Sequence, residues 1–361
     1  MAHRDALGEF PYDWRLSVEY NAHQLAKFVE LHLKRWQTHP DGSADAKVVL
    51  VAHSMGGLVA RYFTRVLGGA DAVRTTVTLG TPYYGSVKAA YIFNTGRGGP
   101  VPLPHSRLRK LVKNMPGLHD LLPFYRCVDD GETVRYLSPE DVHSLGGDKT
   151  LAQESADRHA KLIAGPPGNL RLLVGGEQPT MQSLSLDGAT MTPLMHTCWP
   201  DHTGRILRRE NLFGDETVFR RAAAAFDLEA QVLAQTHGAL PADSHAIAKV
   251  RDVLLNGTAG PPLGVGEIGI DVPDVVSTAE PVTVTVRNAR ASGTSCRVFD
   301  ALSHRQVAWP PLSGDDVLTA TVTLSRPGVY RVEVKGGGAP AVTQQLMAVT
   351  PDDYAPEEAG E

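Results

Sequence analysis

Cysteine is scarce in this chain. Cys127, Cys198 and Cys296 are the three among 361 residues, far apart and odd in number. That argues against a disulfide framework and for reduced thiols in a cytoplasmic setting. There is no C-x-x-C pair and no H-E-x-x-H, and the fourteen histidines show no ligand spacing. No metal and no cofactor is therefore expected. Long apolar runs are missing too. No stretch approaches the roughly 18 residues a membrane-spanning helix needs, and the opening MAHRDALGEF has no apolar signal-peptide core. Basic blocks are absent and the formal net charge is −5, so nothing favours nucleic acid. No internal repeat occurs. What remains is an ordinary globular composition, 42% hydrophobic and 21% charged, with length for one large domain and one small one.

The most informative stretch runs from Lys47 to Leu67. Val48-Val49-Leu50-Val51 is a continuous apolar run, the pattern of a strand covered on both faces of a parallel sheet. It leads through Ala52-His53-Ser54-Met55-Gly56-Gly57 into a helical period. Leu58, Tyr62 and Val66 form one row, Val59, Phe63 and Leu67 the next, and Gly68-Gly69 ends it. A strand, a tight turn holding a serine, then a helix is the nucleophile elbow of α/β-hydrolases. Small residues two before and two after the serine, Ala52 and Gly56, let strand and helix pack closely.

Upstream, Ala22, Leu25, Val29, Leu33 and Trp36 share one helix face. Downstream, Val73–Leu79 is a β-branched strand, so helix, strand, helix, strand implies a mostly parallel sheet. Periodicity is poor over 87–167, with short helical patches at Leu108–Val112 and Pro116–Leu122. An insertion of this length reads as a cap over the site. Leu170–Gly176 returns to strand character, Gln178–Asp201 reads as loop, Leu228–Ala234 as a last strand and Ser244–Leu255 as a closing helix. The expected fold is thus an α/β-hydrolase domain over 1–256. A Gly/Pro linker at 257–266 follows. Alternating runs rich in Val and Thr over 267–350 predict an immunoglobulin-like β-sandwich. Residues 351–361 are an acidic, disordered tail.

A serine hydroxyl needs a base to take its proton and an acid to orient that base. In this fold class the chain order is Ser, Asp or Glu, His. After Ser54, Asp215 in the turn Gly214-Asp215-Glu216-Thr217-Val218 is the candidate acid. Glu216 is the alternative, and Asp187 and Asp201 are weaker. His237, 237 − 215 = 22 residues on, follows the expected last strand and is the candidate base. His245 is its rival. His53 is read as a packing or hydrogen-bonding neighbour of the site. The backbone N–H of Met55 is the expected oxyanion donor. No Gly-rich or His-Gly loop upstream supplies a second one.

These residues together resemble the lecithin:cholesterol acyltransferase and phospholipid:diacylglycerol acyltransferase family of α/β-hydrolases. Tyr12-Asp13-Trp14-Arg15 is similar to the family's YDWR segment, Ala52–Gly57 to its AHSMGG elbow, and Gly80-Thr81-Pro82-Tyr83-Tyr84-Gly85-Ser86 to its GTPxxGS turn. Pro116–Pro123 resembles its cap segment ending in LLP. Gly214–Val218 is similar to GDGTV with Glu at the third position, and His237 stands where the family's histidine is expected. The resemblance spans about Phe10–Leu255. It implies an acyl-enzyme on Ser54, a lipid or other ester as acyl donor, and water or an alcohol as acceptor. The family's first strands would lie upstream of Phe10, and the β-sandwich is no part of the family core. A second expectation follows: a truncated or inactive hydrolase fold used for binding or scaffolding, with the β-sandwich meeting a protein partner.

Overall fold

In the computed structural model, which describes residues 4–99, 104–257, 268–278, 280–336 and 341–354, the chain first lays down an α/β layer. Helix α1 (Val18–Gln37) opens at Ser17, whose side chain accepts from the Tyr20 N–H, one of the donors a helix start leaves unpaired. Its buried stripe, Val18, Ala22, Leu25 and Val29, packs on helix α2 (Met55–Arg65). Between them runs strand β1 (Val48–His53), with β2 (Val73–Leu79) parallel beside it. Leu58, Val59, Tyr62 and Phe63 of the two helical rows are all buried.

Helices α3 (Val87–Thr95), α4 (His105–Val112) and α5 (Pro116–His119) follow. Then come strands β3 (Val128–Asp129) and β4 (Val134–Arg135), and helices α6 (Pro139–Ser144) and α7 (Lys149–Ile163). Strand β5 (Leu170–Gly175) re-enters the main sheet. The stretch expected as loop after it is instead two hairpins. Strands β6 (Ser183–Asp187) and β7 (Thr190–Leu194) turn at Gly188 and join β3 and β4 in the order β4-β3-β6-β7. Strands β8 (Thr197–Pro200) and β9 (Ile206–Glu210) pair with each other. Ser, Asp and Pro in these short strands hide their period. A second core joins Phe93, Leu108 and Val128 to Leu184 and Met191, so it is built from chain on both sides of β5.

Helix α8 (Arg220–Ala223), strand β10 (Ala230–Leu233) and helix α9 (Ser244–Asn256) complete this half. The main sheet has the order β1-β2-β5-β10, all parallel. One expectation is corrected here. Strand β1 is not covered on both faces: it lies at the sheet's edge, every residue but Val51 is partly buried, and Val51 is 50% exposed. An apolar run reports that a strand is paired in a sheet; it does not report on which side the sheet ends.

The C-terminal half is all β: β11 (Gly269–Asp271), β12 (Val275–Ser277), β13 (Pro281–Arg287), β14 (Thr294–Asp300), β15 (Gln306–Ala308), β16 (Val317–Thr323), β17 (Gly328–Gly336) and β18 (Val342–Val349). They form sheets of order β11-β13-β16 and β12-β18-β17-β14-β15. Alternate residues face a common core, among them Val284, Val286, Leu318, Val332 and Leu346, as a period of two requires. Of the expected linker only Gly257 is described; it caps α9. A short helix α10 (Pro351–Tyr354) begins the acidic tail, whose remainder lies outside the described residues.

Polar side chains fasten the two halves. Gln178, fully buried, accepts from the Ile270 N–H at 2.9 Å and donates to the Ile268 carbonyl at 3.2 Å. Gln235 accepts from the Thr343 N–H at 3.0 Å and donates to the Ala341 carbonyl at 3.1 Å.

Candidate active site

Ser54 sits where the extended chain of β1 turns into α2, at φ 54° and ψ −133°. A non-glycine residue there stores backbone strain that its surroundings must hold. Its N–H donates to the Leu79 carbonyl at 2.9 Å, and its own carbonyl accepts from Thr81 Oγ1 at 2.9 Å. The close approach that the elbow needs falls at Gly57: a Cβ there would lie 2.0 Å from Thr81 Oγ1. At Gly56 the nearest atom would be 3.6 Å away, so the crowding lies one residue beyond the position expected.

Ser54, His237 and Asp215 come together although 183 and 22 residues of chain separate the pairs. Ser54 Oγ lies 2.8 Å from His237 Nε2, and His237 Nδ1 lies 2.8 Å from Asp215 Oδ2. With Nδ1–H donating to the carboxylate, Nε2 is left to accept the serine proton. Asp215 is fully buried, and its Oδ1 accepts from the N–H groups of Thr217 at 3.1 Å and Val218 at 2.7 Å. The His237 N–H donates to the Asp215 carbonyl at 2.7 Å. Gly80, at φ +59°, leaves room for the pair, since a Cβ there would sit 2.9 Å from Asp215 Oδ2.

The rival residues are placed elsewhere. Glu216 turns to Lys88, at 2.8 Å. Asp201 accepts from the Thr203, Gly204 and Arg205 N–H groups in its own turn, and Asp187 ends β6. His245 begins α9, its Nδ1 3.9 Å from Asp243. His53 donates from Nε2 to the His237 carbonyl at 2.9 Å, with ring centroids 4.8 Å apart. Burial first, and the neighbouring His237 second, push its pKa down to about 4, so it is neutral at ordinary pH. The Met55 N–H belongs to the first turn of α2, where helical N–H groups have no partner within the helix.

Residues 3–156 match the family model of lecithin:cholesterol acyltransferase. This stretch is similar to the LCAT family. The LCAT-like stretch contains Ser54, the Tyr12–Arg15 segment and the Gly80–Ser86 turn; Asp215, His237 and the β-rich half lie beyond it. No curated protein matches the sequence. Among solved structures, the chain is similar to one titled as the Tle4-Tli4 complex, with TM-score 0.43 and 19% identity over 59% of this chain. It spans 57% of that chain, little more than half its length. Part of the chain is similar to the BSP domain of a biofilm associated protein, with TM-score 0.20 and 15% identity, covering 28% of this chain and 17% of that one. Part is similar to the CARDB domain of the PF1109 protein from Pyrococcus furiosus, with TM-score 0.17 and 19% identity, covering 23% of this chain and 85% of that one.

Motifs of the LCAT-like stretch are tied to the site. Ser86 Oγ donates to the Thr217 carbonyl, joining the Gly80–Ser86 turn to the turn that holds Asp215. Trp14 and Leu118 line the cleft over Ser54. Lys88 bridges Glu216 and Asp274, at 2.8 and 3.6 Å. Burial alone would lower its pKa, but the two carboxylates raise it well above the ordinary range. Neither Lys88 nor Gln235 carried a local sequence signal.

Among the described residues one group of side chains has metal-ligand chemistry: Asp129, His196 and Cys198 bring an oxygen, a nitrogen and a sulfur within 4.8 Å of one another. The His196-x-Cys198 pair went unnoticed in the sequence. Arg209 already holds both oxygens of Asp129, at 2.8 Å each, and its hydrogen bonds lower that carboxyl's pKa. Burial and the Asp129 carboxylate push the Cys198 thiol up to about 12. The cluster is satisfied as an ion pair. No helix among the described residues is long and apolar enough to cross a membrane.

Proposed function

We propose that the chain is a serine-dependent esterase, lipase or O-acyltransferase that acts on lipid esters through an acyl-enzyme on Ser54. The observation that carries this is the unbroken run of two 2.8 Å contacts from Ser54 Oγ through His237 to Asp215. His237 takes the hydroxyl proton as Ser54 attacks the ester carbonyl, and Asp215 orients the ring and stabilises its charged form. The Met55 N–H faces the developing oxyanion. His237 then gives the proton to the departing alcohol. Water or an acceptor alcohol, deprotonated by the same ring, releases the acyl group. In this reading the C-terminal half is an immunoglobulin-like β-sandwich appended to an α/β-hydrolase with a cap.

A fluorophosphonate probe is expected to label the protein, and Ser54→Ala to abolish labelling. Labelling that persists in Ser54→Ala would move the nucleophile elsewhere. A second reading, a hydrolase fold used for binding, is favoured by the exposed edge strand β1. It predicts a folded protein that neither reacts with the probe nor turns over a short-chain ester.

A further inference from the structure

The cleft over Ser54 has two walls. Its volume is about 1110 Å³, just above the usual range for small-molecule sites. One wall carries Ser54 and His237. The other carries Val329, Arg331, Glu333 and Lys335 of β17. These are alternate positions, so they share the outer face of the strand, while Tyr330, Val332 and Val334 between them are buried in the β core.

We propose that this outer face is part of the substrate site, and that Arg331, with Lys335 beside it, binds a negatively charged group of the substrate. The proposal rests on the functional reading above and extends it to residues outside the LCAT-like stretch. Two observations support it.

First, the wall is held in register with the reacting groups. Gln235 and Thr236 immediately precede His237. The Gln235 side chain bonds to Ala341 and Thr343, and Thr236 Oγ1 donates to the Thr343 carbonyl. Also in the cleft lining, Lys88 reaches Asp274 at 3.6 Å.

Second, the Arg331 guanidinium has no carboxylate partner among the described residues, although the cleft's other ionised groups do not leave it positive overall. Lys88 lies between Glu216 and Asp274 and leaves that trio one net negative charge. Asp243 caps α9 through the His245 and Ala246 N–H groups. Glu333 lies between Arg331 and Lys335 on the same face, opposite Arg297 in the β14–β17 ladder, and makes no ion pair with any of the three. Arg331 has Phe299 and Gln345 as cross-strand neighbours. Its guanidinium lies 5.0 Å from the centre of the Phe299 ring, and its Nε is buried without a hydrogen-bond partner. Among the described residues no carboxylate pairs with Arg331 or Lys335. A planar guanidinium held on an aromatic face is suited to a phosphate or a carboxylate.

The test is calorimetric titration of the Ser54→Ala protein with three probes of equal acyl length, below their micelle concentrations: dihexanoyl glycerol, dihexanoyl phosphatidate and the hemisuccinate of dihexanoyl glycerol. A charged probe is expected to bind more tightly than the neutral one, and the better of the two identifies phosphate or carboxylate. Arg331→Gln is expected to weaken the charged probe's binding relative to the neutral one by about 10- to 100-fold, the range for a charge-assisted hydrogen bond. Arg331→Lys should restore part of the loss. The proposal is overturned if neither charged probe binds better than the neutral one, or if Arg331→Gln weakens all three alike. Turnover by the protein with Ser54 intact is read separately. Selective binding of a charged probe without any turnover would overturn the functional reading and leave the subsite standing.

Discussion

The two halves of the molecule differ in how they treat their sheets. In the C-terminal half the main strands alternate buried residues with half-buried or exposed ones, and the two sheets close over a single core. In the N-terminal half the sheet is all parallel, and it ends at the strand that carries the nucleophile, with Val51 half exposed. The regular half holds none of the proposed reacting groups, and the irregular half holds all of them. Strain at Ser54, the buried carboxylate of Asp215 and the positive φ at Gly80 are local costs, of the kind that functional sites impose on a fold. The β-rich half contributes a surface and two glutamine-held contacts instead.

The strongest way to break this comparison is to show that the reacting groups are not confined to the N-terminal half. His237→Ala is expected to lower ester turnover by roughly 10³- to 10⁶-fold, and Asp215→Asn by a comparable order. Steady-state rates on a short-chain ester check this. Near-normal turnover in His237→Ala would redirect the role to His245, which borders the same cleft.

Next in size is a test of whether the halves are separate cores. Asp120 is buried; its carboxylate accepts from Arg158 Nε at 2.9 Å and from the Val18 N–H at 2.7 Å, tying α1 to α7 and to the end of α5. Arg158→Met leaves that carboxylate unpaired, at a cost of about 3–5 kcal/mol. Leu318→Ala empties a fully buried position in the β-rich half, at about 2–5 kcal/mol. Scanning calorimetry is expected to resolve two transitions, with each substitution lowering a different one. A single transition lowered by both would mean that Gln178 and Gln235 couple the halves into one cooperative unit.

A smaller effect sharpens the account of the elbow. Gly57→Ala drives a methyl group against Thr81, which holds the Ser54 carbonyl. The expected cost is about 1–3 kcal/mol, with a loss of probe labelling. Gly56→Ala meets ordinary contact distances inside α2 and is expected to leave stability unchanged or raise it by up to about 1 kcal/mol. Equal effects at the two positions would contradict the placement of the close approach at Gly57.

Legibility in the sequence followed the range of the physics. The serine elbow, the helix rows of α2 and the alternating β-strands are set by neighbours within a few residues, so period and turn chemistry revealed them. Asp215 and His237 were reached through chain order and turn composition. The hairpins over 183–210 were not, because Ser, Asp and Pro in strands of four or five residues leave too little apolar alternation to read. The edge position of β1, the Lys88–Glu216–Asp274 bridge and the hold of Gln235 on Thr343 join residues more than a hundred positions apart or depend on strand order. No local pattern encodes such pairings.

The smallest effect concerns acid. His53 and His159 are both held neutral, with pKa values pushed down to about 4 and about 3, chiefly by burial. His159 stacks on Phe124 at 3.8 Å between centroids, and both its ring nitrogens lack a hydrogen-bond partner. In the unfolded chain a histidine takes up its proton near pH 6.5. Below that pH the unfolded state binds protons that the folded state refuses, so stability is intact above about 6.5 and falls as pH drops toward the folded values. Each histidine contributes a slope of about 1.4 kcal/mol per pH unit in that window. Both lie in the N-terminal half, so between pH 6 and 4 its transition is expected to fall faster than that of the β-rich half. His159→Phe removes one titrating group and two unpaired nitrogens while keeping the stack. It is expected to flatten the slope of the N-terminal transition by about 1.4 kcal/mol per pH unit and to raise its melting temperature at pH 5. An unchanged slope in His159→Phe would show that this ring is not the one resisting the proton.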